Sequence, residues 1–160
     1  LSTKIRREIL LLMGIDPKRS LQYLSPKIAA QWHPTKNGSL TPTAVANKSN
    51  KKYWWQCSKS NEHVWQAVVA SRTDENSRGC PFCAGRKVCY ENSLAINYPE
   101  IATQWHPTKN GKLTPDEVTF GTHKKVWWQC EKVSAHTWNA EIVSRTAGGR
   151  GCPFCSGNRK

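Results

Sequence analysis

Apolar side chains recur at near-helical spacing in three short segments of the chain. Residues 1–15 place four apolar side chains on one helical face, with basic residues elsewhere. The segments "SLQYLSPKIAAQW" (20–32) and "SLAINYPEIATQW" (93–105) show a similar spacing, which Pro26 and Pro99 interrupt. We therefore predict a helix at the start of the chain and a short, proline-broken helix in each later segment.

Polar and apolar residues alternate in two further pairs of segments. "KKYWWQC" (51–57) and "KKVWWQC" (124–130) each predict a strand that ends on a cysteine. "HVWQAVVASRT" (63–73) and "HTWNAEIVSRT" (136–146) predict the return strand of a hairpin. A helix followed by a hairpin, written twice, is typical of small α+β domains.

These elements belong to a tandem duplication. After a shift of 73 positions, residues 20–73 match residues 93–146 at about 30 of 54 positions, and "QWHPTKNG" recurs unchanged. A unit of roughly 70 residues is too long for a solenoid repeat and suits a small domain. We predict an N-terminal basic helix over 1–19, a first repeat over 20–89 and a second over 90–160.

Each repeat contains three cysteines and one histidine at matching positions. They are Cys57, His63, Cys80 and Cys83 in the first repeat and Cys130, His136, Cys152 and Cys155 in the second. Three cysteines cannot all pair within one repeat, whereas a Cys3His set is typical of closed, structural zinc sites. A domain this small buries a marginal core and needs a staple. The sequence therefore predicts two Zn²⁺ ions per chain and a reducing compartment.

Other histidine and cysteine residues leave alternatives open. His33 and His106 also recur, directly before a proline, and are either further candidate ligands or packed turn histidines. Cys89 has no counterpart in the second repeat and is either a small linker residue or a redox or metal-binding thiol. A thioredoxin-like redox role for the two C-x-x-C motifs is disfavoured because the chain lacks a βαβ pattern.

The chain is strongly basic, with a formal net charge of +13 and a sequence pI of about 9.7. The excess is +3 over residues 1–19, +7 over 20–89 and +3 over 90–160. Such an excess indicates a polyanionic partner whose phosphates Lys and Arg would neutralise, and a solubilising surface is the alternative. The candidate contacts are the basic residues near the turns, strands and C-x-x-C motifs: Lys36, Lys51, Lys52, Arg72, Arg78, Arg86, Lys87, Lys109, Lys124, Lys125, Arg145 and Arg150.

Tryptophans offer both core and contact positions. The two adjacent tryptophans of each predicted strand must face opposite sides, so one belongs to the core. The other could stack on a base or pack on the helix. Trp32 and Trp105 are predicted to be core anchors, because so short a domain needs large apolar side chains. The block "QWHPTKNG" is therefore predicted to be one structural corner, repeated with the domain.

These motifs carry a resemblance to a known family. About 140 residues of the chain resemble tandem probable zinc-ribbon domains of the treble-clef type. The resemblance rests on the motifs N-S-L-A, P-E-I-A, Q-W-H-P-T-K-N-G, K-K-V-W-W-Q-C, H-x-W and G-C-P-F-C, in this order. The resemblance implies two tandem treble-clef or zinc-ribbon-like units, each with a short helix, a β-hairpin and a zinc knuckle. It also implies zinc on the eight cysteine and histidine residues named above. Members carry such units beside nuclease-like domains, which this sequence does not show.

We expect a non-catalytic protein that binds nucleic acid, RNA rather than DNA, as a structural component of a ribonucleoprotein such as an organellar ribosome. Fully ligated zinc leaves no open position, and the sequence offers no carboxylate cluster or nucleophile–base pair, so we expect no enzyme activity. The alternatives are a protein-interaction scaffold that docks through the N-terminal helix, or the DNA-binding module of a larger nuclease-like protein.

The remaining expectations concern partners and location. No apolar run approaches the roughly 18 residues of a membrane span, so we expect no membrane partner, and no small-molecule substrate is indicated. We expect an intracellular location, in a mitochondrion, a plastid or the nucleus. The chain begins at Leu1 rather than Met, so we expect a processed product or a fragment.

Overall fold

The computed structural model describes residues 15–158. Of the N-terminal basic helix predicted over 1–19, residues 1–14 lie outside the described residues, and the described part contains the 3-10 turn Pro17–Arg19. The chain divides into two compact units, Leu1–Cys80 and Pro81–Lys160, and the division falls within the first C-P-F-C motif. The repeat boundary at 89/90 stays a prediction of the sequence. Within the described range, no helix is long and apolar enough to cross a membrane.

The first unit consists of short helices and one hairpin. In chain order its elements are the 3-10 turn Pro17–Arg19, α1 (Leu21–Leu24), α2 (Pro26–Ala29), the 3-10 turn Pro42–Ala44, β1 (Lys52–Gln56), β2 (Val64–Val68) and α3 (Val69–Thr73). The Ser20 hydroxyl caps α1 by accepting a bond from the N–H of Tyr23 at 3.3 Å. Pro26 takes the first position of α2, where its missing N–H costs nothing. The predicted proline-broken helix is thus confirmed as two short helices.

The hairpin of the first unit places one tryptophan of each strand in the core. Strands β1 and β2 pair antiparallel, with Trp55 opposite Trp65 and Trp54 opposite Gln66. Trp55 is fully buried and Trp65 nearly so, and Leu21 of α1 is fully buried as well. Two large indoles therefore supply much of the apolar area that a unit this small can bury.

The return strand is shorter than the sequence predicts. It ends at Val68, which pairs with Lys52 at the start of β1. Val69 and Ala70 still donate backbone bonds to Lys51 and Ser49, but the chain turns into a helix at Val69. The next five residues form α3, in which Val69 and Arg72 are both buried at the three-residue spacing of one helical face. The prediction of a strand over 63–73 is wrong for its last five residues. Over so short a run, the pattern of apolar and polar residues fits both a strand and one face of a helix.

The second unit repeats the first. Its elements are the 3-10 turn Tyr90–Asn92, α4 (Leu94–Asn97), α5 (Pro99–Ala102), the 3-10 turn Pro115–Glu117, β3 (Lys125–Gln129), β4 (Thr137–Glu141) and α6 (Ile142–Thr146). As in the first unit, the return strand predicted over 136–146 gives way to a helix, here at Ile142. Leu94, Trp128 and Ile142 are fully buried and form the centre of its core.

Candidate metal centres and the surrounding surface

The hairpin of each unit brings the first cysteine and the histidine together. Cys57 directly follows β1 and His63 directly precedes β2. The N–H of Cys57 donates to the carbonyl of His63 at 3.0 Å, and Cys130 and His136 form the same bond at 3.0 Å. The ladder therefore closes the loop between them and holds the two side chains at one end of the sheet.

The C-x-x-C motif completes each set of four ligands. The Cys and His atoms that could bind a metal lie within 4.8 Å of one another in both groups. The groups are Cys57, His63, Cys80 and Cys83 in the first repeat and Cys130, His136, Cys152 and Cys155 in the second. None of the seven cysteines, all of which lie within residues 15–158, forms a disulfide.

The distances between the ligand atoms match a tetrahedral zinc site. In the second centre, Sγ of Cys130 lies 3.7 Å from Sγ of Cys155, and Nδ1 of His136 lies 3.7 Å from Sγ of Cys152 and 3.6 Å from Sγ of Cys155. Zn–S bonds of about 2.3 Å and Zn–N bonds of about 2.0–2.1 Å give tetrahedral edges of roughly 3.5–3.8 Å. In the first centre, Nδ1 of His63 lies 3.7 Å from Sγ of Cys80. The two groups fit two zinc ions, as the sequence predicts.

The electrostatics of the second centre also favour a bound cation. Backbone N–H groups of Val133 and Lys132 hold the pKa of Cys130 below its usual value. The neighbouring side chains of Cys130 and Cys152 raise the pKa of Cys155 to about 11. Three sulfurs this close cannot all ionise at neutral pH without a cation, and a dication reverses that penalty. The ring of His136 stacks on Phe154, with ring centroids 4.9 Å apart, so the C-P-F-C motif also orients the histidine ligand.

His33 and His106 are turn histidines rather than metal ligands. Nδ1 of His33 accepts bonds from the backbone N–H groups of Thr35 and Lys36, both at 3.2 Å. His106 makes the equivalent bonds. Both residues are buried and belong to neither ligand group. Burial, and then the nearby lysine charge, lowers the pKa of each histidine, which keeps Nδ1 available as an acceptor.

The block "QWHPTKNG" is a corner that extends the hairpin. The N–H of Gln56 donates to the carbonyl of Gln31 at 2.8 Å, and Trp32 forms a bridge with Trp55. The side chain of Asn37 binds both the N–H and the carbonyl of Trp54, at 2.8 and 2.9 Å. Gly38 has φ +63°, which favours glycine over other residues. The second copy makes the same bonds, so the repeated block is structural, as predicted.

The tryptophan pairs divide between core and surface. Trp55 and Trp128 are fully buried, whereas Trp127 is 36% exposed and Trp54 is half-buried. The corner lysines cover the outer indoles: Nζ of Lys36 lies 4.7 Å from the ring centroid of Trp54, and Lys109 lies at the same distance from Trp127. These pairs place an aromatic ring and a cation on the outer face of each hairpin. Trp32 and Trp105, predicted core anchors, are half-buried.

Ten of the twelve candidate cationic contacts are exposed. They are Lys36, Lys51, Lys52, Arg78, Arg86, Lys87, Lys109, Lys124, Lys125 and Arg150. Arg72 and Arg145 are instead buried, with 2% and 4% of their surface exposed. Their position in α3 and α6 turns them inward, so these two residues cannot serve as surface contacts for a phosphate. Only the identical S-R-T in both repeats could have suggested a shared structural role.

Cys89 is half-buried in a short turn. Its N–H donates to Oδ1 of Asn92 at 2.8 Å, and Asn92 also donates to the carbonyls of Phe82 and Lys87, both at 2.9 Å. Burial, followed by the neighbouring Glu91, raises the pKa of the Cys89 thiol. These bonds hold the backbone of the turn, and the choice between a linker residue and a redox or metal-binding thiol stays a prediction of the sequence.

Comparison with known proteins agrees with this geometry. The model of a family described as a probable treble clef zinc finger domain matches the chain twice, over residues 28–86 and 101–158. The two matches cover most of the chain, which therefore belongs to this family as a tandem of two zinc finger domains. No curated protein matches the chain.

Proposed function

We propose that this protein binds nucleic acid, single-stranded RNA in preference to DNA, through the outer face of each hairpin. The observation that carries the proposal is an outward-facing indole beside lysines at the same place in both units. The zinc centres act as staples in this proposal, because four protein ligands leave no coordination position for a substrate. We accordingly propose a non-catalytic role, as part of a ribonucleoprotein in a reducing compartment.

The outer face of the first hairpin combines charge, an aromatic ring and an amide. Lys52 and Trp54 are two residues apart in β1 and therefore lie on the same face. Gln66 is exposed directly opposite Trp54, and Lys36 covers the indole from the corner. Lysines neutralise phosphates, an indole stacks on an unpaired base, and an amide can bind a base edge. RNA loops present such unstacked bases, which favours RNA.

The same face of the second hairpin carries less positive charge. Trp127 lies opposite Asn139, and Nζ of Lys109 donates to Oγ1 of Thr137 at 3.0 Å. Lys125, however, lies opposite Glu141, where the first unit has Val68 opposite Lys52. The carboxylate of Glu141, which lies 3.0 Å from Nδ1 of His123, adds negative charge on the face that carries Lys125. The first unit is therefore proposed to dominate the affinity for a polyanion.

The lysine over each indole must move when a base stacks on the ring. In the free protein its ammonium group occupies one face of the ring. A base that stacks on this face displaces the lysine, which then contacts the adjacent phosphate. The exchange replaces a cation–π contact at an exposed site, worth roughly 0.5–1 kcal/mol, with a charge-assisted contact and a stacked base.

The test is binding of the zinc-loaded chain to fluorescently labelled 20-residue uridine and deoxythymidine oligomers, and to an RNA duplex, from low to moderate salt. We expect affinity for the single strands to fall steeply with salt and the RNA strand to bind tightest. Lys51→Glu with Lys52→Glu should weaken binding more than the matched pair Lys124→Glu with Lys125→Glu. Trp54→Ala should cost about 1–3 kcal/mol if the ring stacks on a base.

Three outcomes would count against the proposal. One is no binding by the zinc-loaded protein at low salt, and another is binding that does not respond to salt. The third is equal loss in both lysine pairs, which would contradict the dominance of the first unit. Zinc content, measured in every variant, serves as the control for folding. Absence of binding would favour a protein-interaction scaffold.

A further inference from the structure

Each unit buries one arginine in the helix that follows its hairpin. Arg72 and Arg145 occupy the same position in α3 and α6 and are almost inaccessible. Arginine is rarely buried this completely unless its charge is compensated, because removing the ion from water is costly. The compensation must come from groups that the two units share, since the burial recurs in both.

Both guanidinium groups lie against two indole rings. The guanidinium of Arg72 lies 5.0 Å from the ring centroids of both Trp55 and Trp65. That of Arg145 lies 4.7 Å from Trp128 and 5.1 Å from Trp138. These rings accept a cation on their faces but carry no net charge.

Hydrogen bonding also leaves the charge without an anionic partner. Nη2 of Arg72 donates to Oε1 of Gln31, and Nη2 of Arg145 donates to Oε1 of Gln104 at 2.6 Å. Among the described residues, Nε of both arginines and Nη1 of Arg145 have no hydrogen-bond partner. An amide oxygen fixes the orientation of the planar group, yet it does not neutralise the cation.

The ligand cysteines of the same repeat are the candidate source of the missing negative charge. Nη1 of Arg72 approaches the carbonyl of Arg78 at 3.5 Å, two residues before Cys80, and Trp55 precedes Cys57 by two residues. Burial lowers the pKa of Arg72, and the thiolates of Cys80 and Cys57 oppose that shift. Burial likewise lowers the pKa of Arg145, and Cys152, Cys130 and the carboxylate of Glu131 oppose that shift. The cysteines are the contribution that both units share.

Charge arithmetic completes the argument. Three thiolates and one Zn²⁺ give each centre a net charge of −1, and one guanidinium brings it to zero. Resting on the zinc centres described above, we propose that Arg72 and Arg145 are the counter-charges of the two zinc–thiolate centres, and that they reduce the nucleophilicity of the zinc-bound sulfurs. A neutral, less nucleophilic centre suits a zinc ion whose role is structural.

The test compares variants that keep either the charge or the bulk. Arg72→Met keeps a long, unbranched side chain but removes the charge. Arg72→Lys keeps the charge but removes the planar guanidinium. Arg145→Met is the matched change in the second unit. The zinc-loaded full chain is treated with iodoacetamide, and alkylation of each cysteine is followed by mass spectrometry while a chromogenic chelator reports released zinc.

We expect Arg72→Met to accelerate alkylation in the first centre only, before zinc is released. A nearby opposite charge shifts thiolate basicity by about one pKa unit or more. Nucleophilicity follows basicity with a coefficient of about 0.5, so the rate should rise roughly threefold. Arg72→Lys should react at a rate close to that of the unchanged protein, and Arg145→Met should accelerate only the second centre.

Two results would overturn the proposal. If Met and Lys variants are accelerated equally and zinc leaves before alkylation, the arginine only fills space. If Arg72→Met does not fold, Arg72→Lys decides: retained zinc with unaccelerated alkylation supports the counter-charge, and loss of zinc contradicts it. A failure to bind RNA in the test above leaves this outcome unaffected, so the two proposals are tested separately.

Discussion

The side chain of Asn37 ties the repeated corner to the hairpin, and Asn37→Ala tests that role. Its Oδ1 accepts a bond from the N–H of Trp54 at 2.8 Å, and its Nδ2 donates to the carbonyl of Trp54 at 2.9 Å. Both bonds lie on the edge of β1 that faces the corner rather than β2. The Asn37 side chain therefore makes the hydrogen bonds to Trp54 that a third strand would otherwise make.

The expected loss follows from these two bonds. Each contributes about 0.5–1.5 kcal/mol net, so alanine should lower the free energy of unfolding by about 1–3 kcal/mol. The carbonyl of Trp54 keeps a second donor, the N–H of His33 at 3.1 Å, so the loss should fall near the middle, at about 2 kcal/mol. Asn37→Asp still accepts from the N–H but cannot donate to the carbonyl, so it should cost about half as much.

The assay is urea unfolding of the zinc-loaded chain, followed by tryptophan fluorescence. The matched variant Asn110→Ala removes the same pair of bonds to Trp127, at 2.8 and 2.9 Å, and should destabilise the second unit by a similar amount. Amide exchange at Trp54 gives a local readout and should accelerate in Asn37→Ala alone. A loss under about 0.5 kcal/mol in both variants would show that the corner is held by other contacts.

Three further predictions concern the metal, the histidines and the turn. Cys80→Ser should lower the zinc content from two ions to one and unfold the first unit while sparing the second, because metal binding supplies folding free energy. Elemental analysis and thermal melts measure the two effects, and melting of both units together would contradict separate domains. The folded-state pKa of His33 lies below its unfolded value, so protonation favours the unfolded chain, and stability should fall as the pH drops below about 6.5. His33→Asn, whose oxygen can replace Nδ1 as the acceptor, should flatten that decline in urea melts at pH 7.5 and 5.5 under conditions where zinc is retained. Gly38→Ala forces a side chain into φ +63° and should cost about 1 kcal/mol in the same melts, whereas an unchanged midpoint would refute the strain.

Periodicity and repetition in the sequence were sufficient to predict the local secondary structure and the zinc ligands. The eight cysteine and histidine ligands follow from an odd cysteine count and a repeated C-x5-H and C-P-F-C spacing, and the geometry confirms both sets. The strands that lead into Cys57 and Cys130 follow from alternation, which also required one tryptophan of each pair to be buried. These features depend on short-range spacing, which the sequence contains directly.

The inward orientation of the Arg72 and Arg145 side chains was decided only by the tertiary structure. In the sequence these residues read as surface cations, because the run before them also fits a strand. The return strands end at Val68 and Glu141, the next turn becomes a helix, and each arginine turns inward onto two indoles from separate strands. Burial of a charge depends on partners that are distant in the chain, namely a glutamine of the corner and the indoles of the hairpin, and no local pattern encodes that encounter.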